Sequence, residues 1–214
     1  MSNQCSDYAG QTGVVNHDMD EHEKRQVGEQ VEPGGRPKAP GRLQLLQRFI
    51  NTWNHDFPPH WDRLGTPRKA STWLRQKGLI AAGRHISAAD AVRLRELREA
   101  IRSLVVANLG PPDPTAVEIL RAASRTAGVI VTADDDGHTH LEPQRAGIDG
   151  AVATLLSIMH EAQLTADWRR LKACRQCRYA FYDRSKNRSA AWCAMAICGN
   201  RAKNRAHYQR RHRP

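Results

Sequence analysis

From Leu43 onward the chain sets apolar residues at helical spacing: Leu43, Leu46, Phe49, Ile50 and Trp53 recur every three or four positions. That spacing predicts an amphipathic helix over 42–55, closed by Phe57-Pro58-Pro59. Thr66 before Pro67 has the form of an N-cap followed by a first-turn proline, opening a helix through Trp73 and Leu74 to Gly78. Ser87 with Asp90 three residues on is a capping box carrying Asp in place of Glu. It opens a long helix with Leu94, Leu97, Ile101, Leu104 and Val105 on one face, ending at Gly110. Asp113-Pro114 starts another, running to about Thr126.

Beyond that helix the period changes. Gly128 to Ala133 is a short β-branched run, and Asp136-Gly137 is a hairpin turn signal before residues 138–143. A final helix of this region turns Val152, Leu155, Leu156, Met159 and Leu164 toward the core. These stripes are read as packing surfaces. Helices with one small β-hairpin and no internal repeat give an α+β domain over 41–168.

Residues 1–40 differ: they are rich in Gln, Gly, Glu, Asp and Pro and show no repeating apolar face, which predicts a disordered tail. His17 and His22 in that tail read as solvated, and so do the consecutive carboxylates Asp134, Asp135 and Asp136 at the hairpin turn. No stretch reaches the roughly 18 apolar residues that a membrane span needs. The start of the chain lacks a basic segment followed by an apolar block, so a soluble, cytoplasmic protein without a membrane partner is expected.

The net charge of +11 changes the picture once it is located. Residues 168–214 hold 14 Lys and Arg against one acid, Asp183, a net of +13. The other 167 residues hold 19 basic and 21 acidic side chains, a net of −2. An excess confined to one short segment points to a polyanionic partner for that segment.

The same segment holds four of the five cysteines, with Cys5 alone in the tail. Their pattern is C-x2-C-x15-C-x4-C, formed by Cys174, Cys177, Cys193 and Cys198. Two cysteines two residues apart let a tight turn present both sulfurs to one ion, and a second close pair completes a tetrahedron of thiolates. Two disulfides or four free thiols are the other uses of such a set. Without an export signal, one structural Zn2+ is the expected one.

The linker between the pairs is long enough for a hairpin, with Tyr179 to Asp183 as one strand and Ser189 to Trp192 as the other. Residues 199–211 contain no proline and no β-branched residue, which predicts a helix whose first turn carries the last ligand. Knuckle, hairpin and ligand-bearing helix over 169–214 describe a treble-clef zinc finger. A Zn(Cys)4 centre carries a formal −2, so some basic neighbours must offset it. Arg184, Lys186 and Arg188 at the hairpin turn, with Arg201, Lys203, Arg205 and Arg210 on the helix, remain as phosphate-binding candidates. Asn200 and Asn204 are candidates for adenine edges.

Cys193-Ala194-Met195-x-x-Cys198-Gly199-Asn200-Arg201, followed by Lys203, resembles the CGNR zinc finger, as does Phe181-x-Asp183-x-Ser185 upstream. Phe49-Ile50-Asn51-Thr52, Trp73-Leu74 and Leu97-Arg98-Glu99-Ala100-Ile101 resemble the ABATE domain that usually precedes this finger. The resemblance implies a bacterial, stress-induced transcription regulator with the four cysteines as zinc ligands. The family usually has two arginines before the tryptophan at the third cysteine. Here Ala190 and Ala191 stand there, and Ala194 replaces a common serine.

The expected function is therefore DNA binding by the finger, with the upstream domain dimerising or sensing a small-molecule effector. Asn51, Thr52 and Arg98, polar residues on core-facing helices, are candidates for that effector pocket. The alternative is an interaction module whose basic finger docks RNA or an acidic protein. An enzyme is not expected. Nucleases built on a treble clef need a histidine at the hairpin end and a further His or Asn on the helix. Here the hairpin carries Tyr182-Asp183, and His207 has no evident partner.

Overall fold

The computed structural model describes residues 35–54, 60–108 and 110–211. Cys5, His17, His22, most of the 1–40 tail, the Phe57-Pro58-Pro59 stop and the last three residues lie outside the described residues. The described elements begin with α1 (Leu43–Ile50), β1 (Trp53–Asn54), β2 (Trp61–Asp62), α2 (Pro67–Gln76), α3 (Ala88–Val106) and α4 (Pro114–Ala127). They continue with β3 (Val129–Ala133), β4 (Thr139–Pro143), α5 (Gly147–Leu164), β5 (Leu171–Ala173), β6 (Ala180–Tyr182) and α6 (Asn200–Arg211). The strands form three separate antiparallel pairs, β1 with β2, β3 with β4 and β5 with β6. This is an α+β protein: a helical domain followed by the short cysteine-bearing segment.

The capping signals work as their chemistry requires. Thr66 Oγ1 accepts from Lys69 N, and Ser87 and Asp90 form a reciprocal capping box. Asp113 accepts from Thr115 N at the start of α4, whose end is closed by Gly128 at φ +66°. The β3–β4 turn is held by Asp134, whose carboxylate accepts from the N–H groups of Asp136 and His138.

Helix α1 stops at Ile50 rather than 55. Asn51 leaves helical geometry, Thr52 Oγ1 folds back on Phe49 O, and Trp53–Asn54 then pairs with Trp61–Asp62. Leu164, expected on the core side, is 74% exposed, because α5 has reached its last turn there.

Leu46, Phe49, Ile50, Leu74, Leu94, Leu97, Ile101 and Leu155 are buried together in the main core. Three residues of the cysteine region, Leu171, Ala180 and Tyr182, join the same core. Phe181 instead joins a second cluster formed by the four cysteines and Ala194. Successive residues of a strand face opposite sides, so β6 is shared between the two cores. The cysteine region is thus built onto the helical domain.

Candidate metal centre and basic finger

The knuckle lies between β5 and β6. Cys174 N donates to Tyr179 O at 2.9 Å and Arg178 N to Cys174 O at 2.8 Å, which closes the turn between the first two ligands. Arg178 takes φ +57°, a conformation costing a side-chain-bearing residue about 1–2 kcal/mol. Its carbonyl is fixed from the helical domain by Arg102 Nη1 at 3.0 Å.

Strand β6 does not pair with residues 189–192, as its spacing to the third cysteine predicts. It pairs with Leu171–Ala173. The 184–192 segment is positioned instead by a buried carboxylate. Asp183 accepts from Lys172 Nζ at 2.8 Å, Ser185 N at 2.9 Å and Ala190 N at 3.0 Å. Lys172 Nζ also donates to the carbonyls of Arg188 and Ala190. Burial alone would raise the Asp183 pKa, but these donors prevail and hold it down at about 2.

After Cys193 the chain makes a π-helical turn, Met195–Gly199. Cys198 N and Gly199 N both donate to Ala194 O there. Cys198 is thereby delivered just before α6 begins. A Cβ at Gly199 would collide with the Met195 thioether, which lies back over the turn.

All four cysteines are buried, and their sulfurs lie within 4.8 Å of one another. Cys177 and Cys193 are separated by 3.5 Å, and Cys193 and Cys198 by 3.6 Å. A tetrahedron with Zn–S of about 2.3 Å has edges near 3.8 Å, so the donors are already at zinc-binding size. As thiols they share charge unevenly. Hydrogen bonds from Cys177 and Cys193 pull the Cys174 pKa far down, and hydrogen bonding to Cys174 pushes those of Cys177 and Cys193 up. These residues hold one structural zinc, with all four protein ligands in place and no position left for substrate.

A cation that carries no sequence signature also serves this centre. Arg36 donates from Nε to Cys193 O at 3.0 Å and from Nη2 to Trp192 O at 2.8 Å. Its guanidinium lies 4.8 Å from the Phe181 ring centroid. A charge beside the third ligand offsets part of the formal −2 on a tetrathiolate zinc. Ala39, also placed in the tail by composition, is buried, and its N–H donates to Gln47 Oε1 at 2.9 Å.

Residues 43–162 match the ABATE family, described as "Putative stress-induced transcription regulator". The chain belongs to the ABATE family. Residues 170–211 match the CGNR zinc finger, so the metal centre is the CGNR finger of an ABATE protein. The matched families are a regulator and a finger, neither of them an enzyme family. No curated protein matches the chain. No helix among the described residues is long and apolar enough to cross a membrane.

The basic candidates fall into two groups. Arg184, Lys186 and Arg188 are exposed in the loop after β6, where Arg184 reaches back to Lys38 O at 3.4 Å and lies over the Tyr182 ring. Arg201, Lys203, Asn204, Arg205 and Arg210 are exposed along α6. Helix α6 has no buried residue, and Ala202 and Ala206 are its half-buried positions. Asn200 is exposed as well, with its amide nitrogen donating to Ala196 O at 3.1 Å.

Asn51, Thr52 and Arg98 are all buried in the ABATE region, and their polar atoms bond within the protein. Asn51 pairs with Ala180 of β6. Arg98 spans Asp62 with both Nη atoms, reaches Glu99 at 2.7 Å and Thr52 at 3.2 Å, and lies over the Trp53 ring. The cavity between α3, α4 and α5, about 210 Å³, is lined by other residues, among them Arg93, Glu96, Ile119 and Thr126.

Proposed function

We propose that this ABATE protein is a DNA-binding transcription regulator that contacts the duplex through the CGNR finger. One observation carries the reading. Helix α6 leaves the zinc centre with no buried residue and no acidic side chain, bearing Arg201, Lys203, Arg205, Arg210 and Arg211. A helix so composed is a poor packing element but suits a phosphate backbone, where each neutralised phosphate releases counterions. The zinc fixes the first turn of that helix, and Arg184, Lys186 and Arg188 add charge from the preceding loop. Ala190 and Ala191 contribute none where the family carries arginines, so α6 bears most of the affinity. Asn204 is our candidate for reading a base edge, since the Asn200 amide is partly engaged by its own backbone bond.

The test is a salt titration of duplex binding. Log affinity falls linearly with log salt. Changing Arg201, Lys203 and Arg205 together to alanine flattens the slope by up to about 0.9 for each phosphate that is no longer neutralised. Absence of duplex retention at low salt sinks the proposal. Preferential competition by structured RNA or an acidic protein transfers the finger to the interaction-module reading. Mapping bound sites in the native cell then identifies the regulated genes.

A further inference from the structure

The β3–β4 hairpin is the part of the ABATE region that its own fold explains least. No third strand joins it among the described residues. Val129, Ile130 and Val131 of β3 are 36%, 41% and 69% exposed. The hairpin is held by the packing of β4 on α5, which leaves β3 as its open edge, and a β-branched apolar edge is a surface that proteins usually protect.

The two edges are not equivalent. Strand β4 ends in Pro143, carries His140 and Glu142, and packs against α5. Strand β3 has no proline, no charged residue between Val129 and Ala133, and an unbroken register with β4. It lacks the usual devices that blunt an edge.

The phase of its hydrogen bonds can be read directly. Asp134 N donates to His138 O, and Gln144 N donates to Gly128 O. In an antiparallel pair such residues alternate, so Gly128, Ile130, Thr132 and Asp134 direct their backbone groups to β4. Val129, Val131 and Ala133 therefore direct theirs outward. Antiparallel pairing of two β3 strands about a two-fold axis at Val131 uses all three outward residues. Each Val131 faces its counterpart, and each Val129 faces the second copy's Ala133.

Charge selects the same arrangement. The hairpin tip carries Asp135 and Asp136, while its base is flanked by exposed Arg125 in the last turn of α4 and by Arg145. The Arg145 guanidinium sits on Thr126 O at 3.2 Å. In the two-fold register, Asp135 and Asp136 of one copy fall opposite Ala127 and Thr126 of the other, beside those arginines. Parallel pairing would set tip against tip and base against base.

We propose that the β3 edge is a self-association surface, on which two copies join antiparallel through Val129, Val131 and Ala133 into a four-stranded sheet. Asp135 and Asp136 of each copy face Arg125 and Arg145 of the other. The surface is isologous and closes on itself, as a two-fold interface must. It stands independently of whether the finger binds DNA.

Sedimentation equilibrium on the full zinc-loaded chain tests it. A monomer–dimer equilibrium is expected, with Val131 amide exchange slowing as concentration rises. Val131→Pro removes an N–H that serves only the second copy, and it weakens the dimer more than about tenfold while leaving zinc content and helicity unchanged. The Asp135→Arg, Asp136→Arg chain and the Arg125→Glu, Arg145→Glu chain each become monomeric alone and form a heterodimer when mixed. A wild-type chain that stays monomeric at every concentration overturns the proposal. So does a dimer that survives Val131→Pro, or a mixture of the two charge-reversed chains that does not associate.

Discussion

Asn51 and Ala180 exchange two hydrogen bonds: the Asn51 amide nitrogen donates to Ala180 O, and Ala180 N donates to Asn51 Oδ1, each at 2.8 Å. The side-chain amide imitates a strand neighbour and ties the end of α1 to the start of β6. Gln47 adds a second donor to the same carbonyl at 3.3 Å. Replacing Asn51 by alanine leaves the buried Ala180 N–H without its acceptor, a loss of about 2–3 kcal/mol. Asn51→Asp also sets a carboxylate oxygen against the Ala180 carbonyl and costs more. Thermal unfolding of the two variants checks both the size and the order. A ligand-sensing role for Asn51 instead predicts variants of wild-type stability.

How much of this joint is visible in the sequence follows from what kind of interaction makes it. The helices are legible because Thr66-Pro67, Ser87 with Asp90 and Asp113-Pro114 act on residues beside them. The ligand set is legible because zinc imposes its geometry on sequence spacing. Asn51, Thr52 and Arg98 stand out as polar residues on core-facing helices, but their partners are far away in sequence, Ala180 for one and Asp62 for another. The finger hairpin is hidden for a related reason. Leu171 to Ala173 is too short and too ordinary to announce a strand, while the linker beyond Asp183 has the length of one. Arg36 leaves no pattern at all, since one guanidinium on two carbonyls needs no periodicity.

Arg98 and Asp62 form a two-pronged ion pair in the ABATE region, with Nη1 to Oδ1 at 2.6 Å and Nη2 to Oδ2 at 3.1 Å. Arg98 is buried, whereas Asp62 keeps some contact with water. The two halves are therefore unequal when removed. Asp62→Ala strands a buried guanidinium with only Glu99 and Thr52, at a cost of about 3 kcal/mol. Arg98→Met leaves carboxylates that water can reach and costs about 1 kcal/mol. Denaturant midpoints are expected in that order, with Asp62→Ala the less stable.

Metal removal acts first on one side of β6. Phe181 belongs to the cysteine cluster, while Ala180 and Tyr182 belong to the main core. A purified chain is expected to hold one zinc, and cobalt exchange to give a tetrathiolate spectrum. Cys177→Ser loses stoichiometric metal, whereas Cys5→Ser does not. Zinc contributes about 10–16 kcal/mol in finger peptides, so chelation melts α6 and the 184–198 segment. The helices around Leu46, Leu94 and Leu155 persist. Circular dichroism during chelation is expected to show partial loss of helix with a remaining cooperative transition. A single global collapse would mean that β6 transmits the loss to both cores.

Asp183 gives the pH dependence of the same segment. Its donors hold its pKa at about 2, below the ordinary carboxylate value of 3.8. A carboxylate depressed on folding adds stability that is fully present above the unfolded value. That stability is lost as pH falls from about 4 through the folded value near 2. Asp183→Asn cannot accept from Lys172 and Ala190 as an anion, and it leaves Lys172 without a counter-charge beneath the finger. The variant is expected to be about 2–3 kcal/mol less stable at neutral pH. The gap to wild type should close as the pH approaches 2. Cysteine protonation releases zinc in both proteins alike, so the difference between their stabilities across pH is the quantity to measure. A gap that stays constant from neutral pH down to pH 2 would mean that shape rather than charge at Asp183 holds the loop.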